Sequence, residues 1–240
     1  MPDPSGSHPF SSQPTGSHAN ASQPDAHVRP EPSIRRTADR GVRSRPDPSI
    51  RRVGVLAVQG GVREHVDLLA SMQVLPVPIR RSADLIGPDG PRVDAMVLPG
   101  GESSVLDRLT RALGLTEALS EVIAAGLPTL GTCAGLIMLA DRIENPAPGQ
   151  RSLGGLDVTV DRNAFGAQVV SEEATVETIW GAVRAAFIRA PRVVQLGGAT
   201  VAARHRGEIV AVTQGNLIGV AFHPELTGDT TVHEQLLKLV

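Results

Sequence analysis

The sequence predicts an α/β protein of three αβα layers, with helices on both faces of a mixed, mostly parallel central sheet. Three observations lead there. Arg52–Val58 (RVGVLAV) is a continuous apolar run, the mark of a strand covered on both faces. Strand-like and helix-like segments then alternate through the first half of the domain, which implies parallel strands joined by helical crossovers. The second half instead carries short strands separated by glycine turns, which implies hairpins.

Taken in order, Gly60-Gly61 end the first strand, and Val62–Met72 follows with helical spacing. Val74–Ile79 is a second strand. Pro76 and Pro78 cannot donate to a ladder, so they place it at an edge or give it an irregular course. Val93–Leu98 is a third strand and runs into Pro99-Gly100-Gly101-Glu102-Ser103; Ser103 or Ser104 can cap the helix that continues through Leu113. Thr116–Ala125 is the next helix, stopped by Gly126. Val122–Ala140 holds 19 residues without a charge, near the ~20 that span a bilayer. Gly126, Pro128, Gly131 and Gly135 break it, so it reads as a helix end, a buried strand at Leu127–Leu130, a sharp turn and a buried helix from Cys133. No membrane partner is expected. Strands are expected at Leu156–Arg162, Val183–Arg189, Ala199–Arg204, Glu208–Thr213 and Leu217–Phe222. Turns at Arg206-Gly207 and Gly215-Asn216 link the last three, and a helix over Thr231–Leu239 closes the chain.

The average composition, with 19 prolines and a formal charge of −2 in 240 residues, conceals a division. Residues 1–52 hold nine prolines, eight arginines and five acidic side chains, a balance of +3, whereas the remainder carries 15 basic and 20 acidic side chains, a balance of −5. The first part also repeats itself: GSHPFSSQPT is followed by GSHANASQPD, and RPEPSIRR recurs as RPDPSIRR. Residues 1–52 are therefore expected to be a disordered, low-complexity tail, too poor in apolar side chains to offset its ordering entropy. Residues 53–240 form one domain. The tail has no apolar segment of signal-peptide type, and one cysteine cannot form an internal disulfide, so a cytoplasmic location is expected. Near-neutral charge and 2% aromatic content argue against a nucleic-acid partner. The single lysine, Lys238, disfavours Schiff-base and P-loop chemistry. No metal and no cofactor is expected.

Gly131-Thr132-Cys133-Ala134-Gly135 is a G-x-C-x-G form of the nucleophile elbow, with a strand before it and a helix after. Its glycines permit the tight turn that lifts the cysteine above a sheet. A helix N-terminus favours thiolate over thiol, and the Ala134 N–H is placed to help hold an oxyanion. A buried cysteine in a glycine-rich turn is the alternative reading of these five residues. Among the domain's histidines, His205 flanks a hairpin turn, and His65 and His233 fall on predicted helices, so none of these three is expected to act as a base. His223 ends an apolar strand, where α/β folds point side chains into the ligand crevice, and Glu225 follows two residues later to orient it. The glycines of Pro99–Ser103 present successive N–H groups as an anion nest that can complete an oxyanion hole.

G-T-C-A-G, F-H-P-E and P-G-G-E-S resemble the motifs of class I (triad-type) glutamine amidotransferases. V-Q-G-G-V-R-E-H from Val58, D-R-N-A-F-G from Asp161, F-I-R-A-P from Phe187 and H-P-E-L-T from His223 are similar to the glutaminase subunit of pyridoxal 5′-phosphate synthase, the PdxT/SNO family. The resemblance runs from about Val53 to the C-terminus. It implies hydrolysis of L-glutamine to glutamate and ammonia by Cys133, His223 and Glu225. It also implies an oxyanion hole at Gly101 and Ala134, and glutamine contacts at Gly101, Glu102, Ser103, Arg162, Ile188 and Arg189. It further implies transfer of the ammonia to a (β/α)8-barrel synthase subunit that builds pyridoxal 5′-phosphate. Glutaminases of other class I enzymes, such as the one serving imidazole glycerol phosphate synthesis, share the elbow and His-Pro-Glu, as would a non-catalytic relative. Gly61 stands where the family commonly has Ala, and Ser103-Ser104 where Ser-Thr is common; neither change removes a reactive group.

Overall fold

The computed structural model describes residues 51–162 and 171–240. The tail expected over residues 1–52 lies outside them except for its last two residues, as do Asn163–Gly166 of the D-R-N-A-F-G segment.

The described elements begin with β1 (Arg52–Leu56), α1 (Val62–Ser71), β2 (Leu75–Ile79), α2 (Ser82–Leu85), β3 (Ile86–Gly87) and β4 (Gly90–Pro91). Next come β5 (Ala95–Leu98), α3 (Ser103–Ala112), α4 (Thr116–Ala124), β6 (Thr129–Thr132), α5 (Ala134–Leu139), β7 (Ala140–Glu144) and β8 (Leu156–Asp161). The last are β9 (Glu172–Thr178), β10 (Gly181–Phe187), β11 (Arg192–Leu196), β12 (Thr200–His205), β13 (Glu208–Gln214), β14 (Leu217–Val220) and α6 (Thr231–Leu237).

Strands β2-β1-β5-β6-β14 form a parallel run, and β13, β12, β9 and β10 extend it antiparallel. The sheet is mixed, as expected. β2 with its two prolines is an edge strand, because a residue without an N–H is tolerated only where no ladder bond is needed. In β5, β6 and β14 every residue is buried, so helices must cover both faces. The two glycines and the threonine around the elbow show how. Side chains alternate along β6. A Cβ on Gly131, or on its register partner Gly219, would run into α5 at Gly135–Leu136, so α5 lies on that face. Thr132 points the other way and meets His65 of α1, which in turn meets His233 of α6. The core is aliphatic, with Phe187 and Phe222 packed edge to face within it.

Several elements differ from expectation. β9 reads EEATVET and exposes alternate residues, so charges mask its period of two. β7 is mostly exposed, and β11 carries a bulge opposite β8, so neither shows an apolar run. β10 starts two residues earlier than expected and ends at Phe187, which leaves Ile188-Arg189 in the loop beyond it. The apolar stretch of residues 122–140 divides into the end of α4, β6 and α5. Among the described residues no helix is long and apolar enough to cross a membrane.

Candidate active site

Cys133 sits between β6 and α5 with φ 49° and ψ −102°, a left-handed conformation that a side chain-bearing residue adopts at a cost of about 1–3 kcal/mol. The glycines around it carry that turn. A Cβ on Gly135 would strike the Leu98 carbonyl of β5, and one on Gly131 would meet the backbone of α5 at 2.5 Å. The Cys133 N–H donates to the Val220 carbonyl at 2.8 Å, which fastens the elbow to β14. Because α5 has only six residues, its dipole is a small part of the field at the sulfur.

His223 lies three residues beyond β14, at the strand end where it was expected. Its N–H donates to the Ala186 carbonyl at 2.8 Å, so its backbone is clamped against β10. Nδ1 donates to Glu225 Oε1 at 2.7 Å, and a Cβ on Gly100 would touch both the His223 ring and the Cys133 side chain, so the imidazole and the thiol face the same small space. Burial alone would push the imidazole pKa down. Hydrogen bonds to the cysteine and to the glutamate outweigh it and raise the value to about 10. The site therefore favours the protonated imidazole of His223. Cys133, His223 and Glu225 are all buried, and Cys133 Sγ lies 4.0 Å from the Ile188 carbonyl oxygen.

These residues open on a cavity of about 370 Å³. Its lining includes Gly101, Glu102, Ser103, Arg162, Ile188 and Arg189, so every candidate substrate contact is brought to one place. Ala134 is buried as the first residue of α5, where a helix leaves N–H groups without an intrahelical acceptor. Gly101 is held by the neighbouring loop. The Gly61 N–H donates to the Gly100 carbonyl at 3.0 Å, the Glu102 N–H donates to Gln59 Oε1 at 3.1 Å, and a Cβ on Gly101 would collide with the Gln59 amide.

The cap of α3 is a correction. Glu102, not Ser103 or Ser104, is the N-cap, and its carboxylate accepts from the Ser104 and Val105 N–H groups and from the Ser104 hydroxyl. Burial pushes that carboxyl up, but these hydrogen bonds and Arg162 hold it below the ordinary carboxylate range. Arg162 donates to Glu102 at 2.8 Å and to Gln150 Oε1 at 3.0 Å, and the Gln150 amide donates to Ser103 Oγ at 3.0 Å. Gln150 lies in an irregular segment with no local signal that would mark it.

His65 and His233 lie on α1 and α6, as the helical spacing implies. Both are fully buried, and His65 Nε2 lies 3.6 Å from Glu225 Oε1. The signal was present in the helical spacing: His65 shares the buried face of α1 with Leu68 and Leu69, and His233 shares that of α6 with Val232 and Leu236.

Known proteins are similar to this chain across residues 55–240. The SNO glutamine amidotransferase family model matches residues 55–240. The pyridoxal 5′-phosphate synthase subunit PdxT of Acidothermus cellulolyticus is 50% identical over 197 residues, covering 78% of this chain and 93% of the relative. The PdxT of Leifsonia xyli subsp. xyli is 53% identical over 193 residues, covering 78% and 95%. A crystal structure of a glutamine amidotransferase superposes with a TM-score of 0.72 at 39% identity, over 78% of this chain and 97% of that one. The structure of PurLQS from Thermotoga maritima, at 17% identity and a TM-score of 0.57 over 79% and 98% of the two chains, shares the fold. With the family model spanning most of its length and relatives about half identical over the aligned residues, the chain belongs to the SNO glutamine amidotransferase family.

Proposed function

We propose that the protein is the glutaminase subunit of a pyridoxal 5′-phosphate synthase, hydrolysing L-glutamine to L-glutamate and delivering ammonia to a synthase subunit. The observation that carries this reading is that Cys133 and the hydrogen-bonded pair His223–Glu225 line one cavity of about 370 Å³, a size suited to a small amino acid. The PdxT relatives, at about half identity, support the choice of synthase.

The steps follow from the geometry. The Cys133 sulfur anion attacks the side-chain amide carbon of glutamine, and the carbonyl oxygen becomes an oxyanion that the N–H groups of Gly101 and Ala134 stabilise. The His223 imidazolium gives its proton to the amide nitrogen, the C–N bond breaks, and ammonia leaves a glutamyl thioester on Cys133. Neutral His223 then takes a proton from water as the water attacks the thioester, and returns it to the departing sulfur as glutamate is released. Glu225 holds the ring so that one nitrogen faces the sulfur throughout. Arg162 grips the α-carboxylate, with Glu102, Ser103 and the Ile188-Arg189 loop enclosing the rest of the amino acid. The partner is a (β/α)8 barrel, and the pair works in the cytoplasm.

The test is glutamate release from glutamine with and without a pyridoxal 5′-phosphate synthase barrel subunit. Release should require Cys133, and Cys133→Ala should abolish it. Unchanged turnover in that variant would refute the nucleophile assignment.

A further inference from the structure

Behind the triad lies a second pair of imidazoles for which the reaction above has no use. His65 Nε2 is 3.1 Å from Thr132 Oγ1 and 3.6 Å from Glu225 Oε1, and His65 Nδ1 is 2.9 Å from His233 Nε2. Both rings are fully buried. His233 Nδ1 has no hydrogen-bond partner among the described residues.

That orphan nitrogen selects the tautomers. If His65 Nδ1 carried the proton, His233 would have to accept at Nε2 and bury an N–H at Nδ1 with nothing to receive it. A bare His65 lone pair would then face the Glu225 carboxylate. The reverse arrangement leaves only a lone pair unsatisfied, and buried N–H groups without acceptors are the rarer and costlier defect. So His233 Nε2–H donates to His65 Nδ1, and His65 Nε2–H faces Thr132 and Glu225.

We propose that His65, fixed in this tautomer by His233, is a positioning residue of the triad: its Nε2–H bonds to Thr132, which precedes the nucleophile, and turns its positive end toward the carboxylate of Glu225, which orients the base. One imidazole thus contacts the two separate strand ends that carry Cys133 and His223. The proposal rests on the triad assignment made above. The charged or titratable groups around the pair are Glu225, His223, Asp229 beside His233, and Glu64 at the cavity wall. Losing the His65 donor loosens Glu225, which then supports the His223 imidazolium less and holds the ring less firmly toward Cys133.

Cys133 is the only cysteine, so its alkylation by iodoacetamide between pH 5 and 10 reads this directly, without glutamine or a partner. In His65→Leu the midpoint should move up by about one pH unit, with alkylation near neutrality slowed roughly tenfold, the ratio that one pKa unit implies. His65→Gln places an amide N–H near the Nε2 position and should restore most of the wild-type profile. Glutamine hydrolysis should follow the same order in kcat, with KM little changed. If the leucine variant does not fold, His65→Asn replaces it, since its amide ends near Nδ1 and keeps contact with His233 only. A folded Leu or Asn variant with the wild-type profile, or a Gln variant no better than either, overturns the proposal. A wild-type chain that hydrolyses no glutamine with its partner, yet shows the expected alkylation shifts, refutes the glutaminase reading and leaves the positioning role standing.

Discussion

Arg162 Nη2 donates to Glu102 Oε1 at 2.8 Å inside the cavity that Cys133 faces, and the arginine side chain is only 15% exposed. With Gln150 on its other terminal nitrogen, the fork is held in one plane before any substrate arrives. Among the described residues two of its five N–H groups are used, and three are left for an incoming carboxylate.

Arg162→Lys should therefore raise KM for glutamine roughly 10–100-fold with kcat changed far less, since an ammonium cannot form the paired contact and a hydrogen bond to a charged group is worth about 1.5–3 kcal/mol. Steady-state kinetics with the partner saturating would show it. An unchanged KM would remove Arg162 from the carboxylate site.

Two glycines should separate activity from stability. A Cβ on Gly100 would fall on the His223 ring, 2.9 Å from Nδ1, whereas a Cβ on Gly135 would press on the backbone carbonyl of Leu98. A side-chain ring can rotate away, so Gly100→Ala should keep the fold and lower kcat by about 10²-fold, the scale of an ångström misplacement. Gly135→Ala wedges α5 from β5 and should lower the melting temperature by several degrees, for an overpacking cost of about 1–3 kcal/mol. Thermal melts and kcat, measured on both variants, would show the opposite pattern if the assignments were exchanged.

The parallel strands and the elbow were legible because their signals are local. An apolar run, a glycine on each side of Cys133, and a histidine at a strand end each occupy a few neighbouring residues. The missed elements lacked such signals: β9 is half charged, and Gln150 reaches Arg162 and Ser103 from a segment with no period. The partners of His65 were not legible for another reason. Its helix was foreseen, but a polar residue on the buried face of that helix was given no task, although burial of a titratable group demands a partner.

The family model begins at residue 55, and the first strand begins at Arg52, where the N–H donates to Asp94 Oδ2 at 2.6 Å. A chain shortened to begin at Arg51 should then keep its melting temperature and its partner-stimulated glutaminase rate, because it retains that bond and the Arg51 contact to the Leu237 carbonyl. A loss of either would assign the repeats a structural or docking role.

The buried histidines should give stability an acid and an alkaline edge. Burial lowers His233 to about 4, and His65 also lies well below its ordinary value through burial and the neighbouring imidazoles. Such groups bind fewer protons folded than unfolded. Their stability is complete above the unfolded value of about 6.5 and is lost as pH falls through the folded one. His223, raised to about 10, has the opposite sign: its contribution is complete below about 6.5 and is lost as pH rises through about 10. Melting curves from pH 4 to 10 should therefore fall at both ends. His233→Gln, which keeps a donor toward His65 but cannot take up a proton, should flatten the acid side between pH 6.5 and 4. His223→Gln should narrow its stability deficit against the wild type toward pH 10. Parallel acid limbs for wild type and His233→Gln would show that His233 does not govern the acid edge.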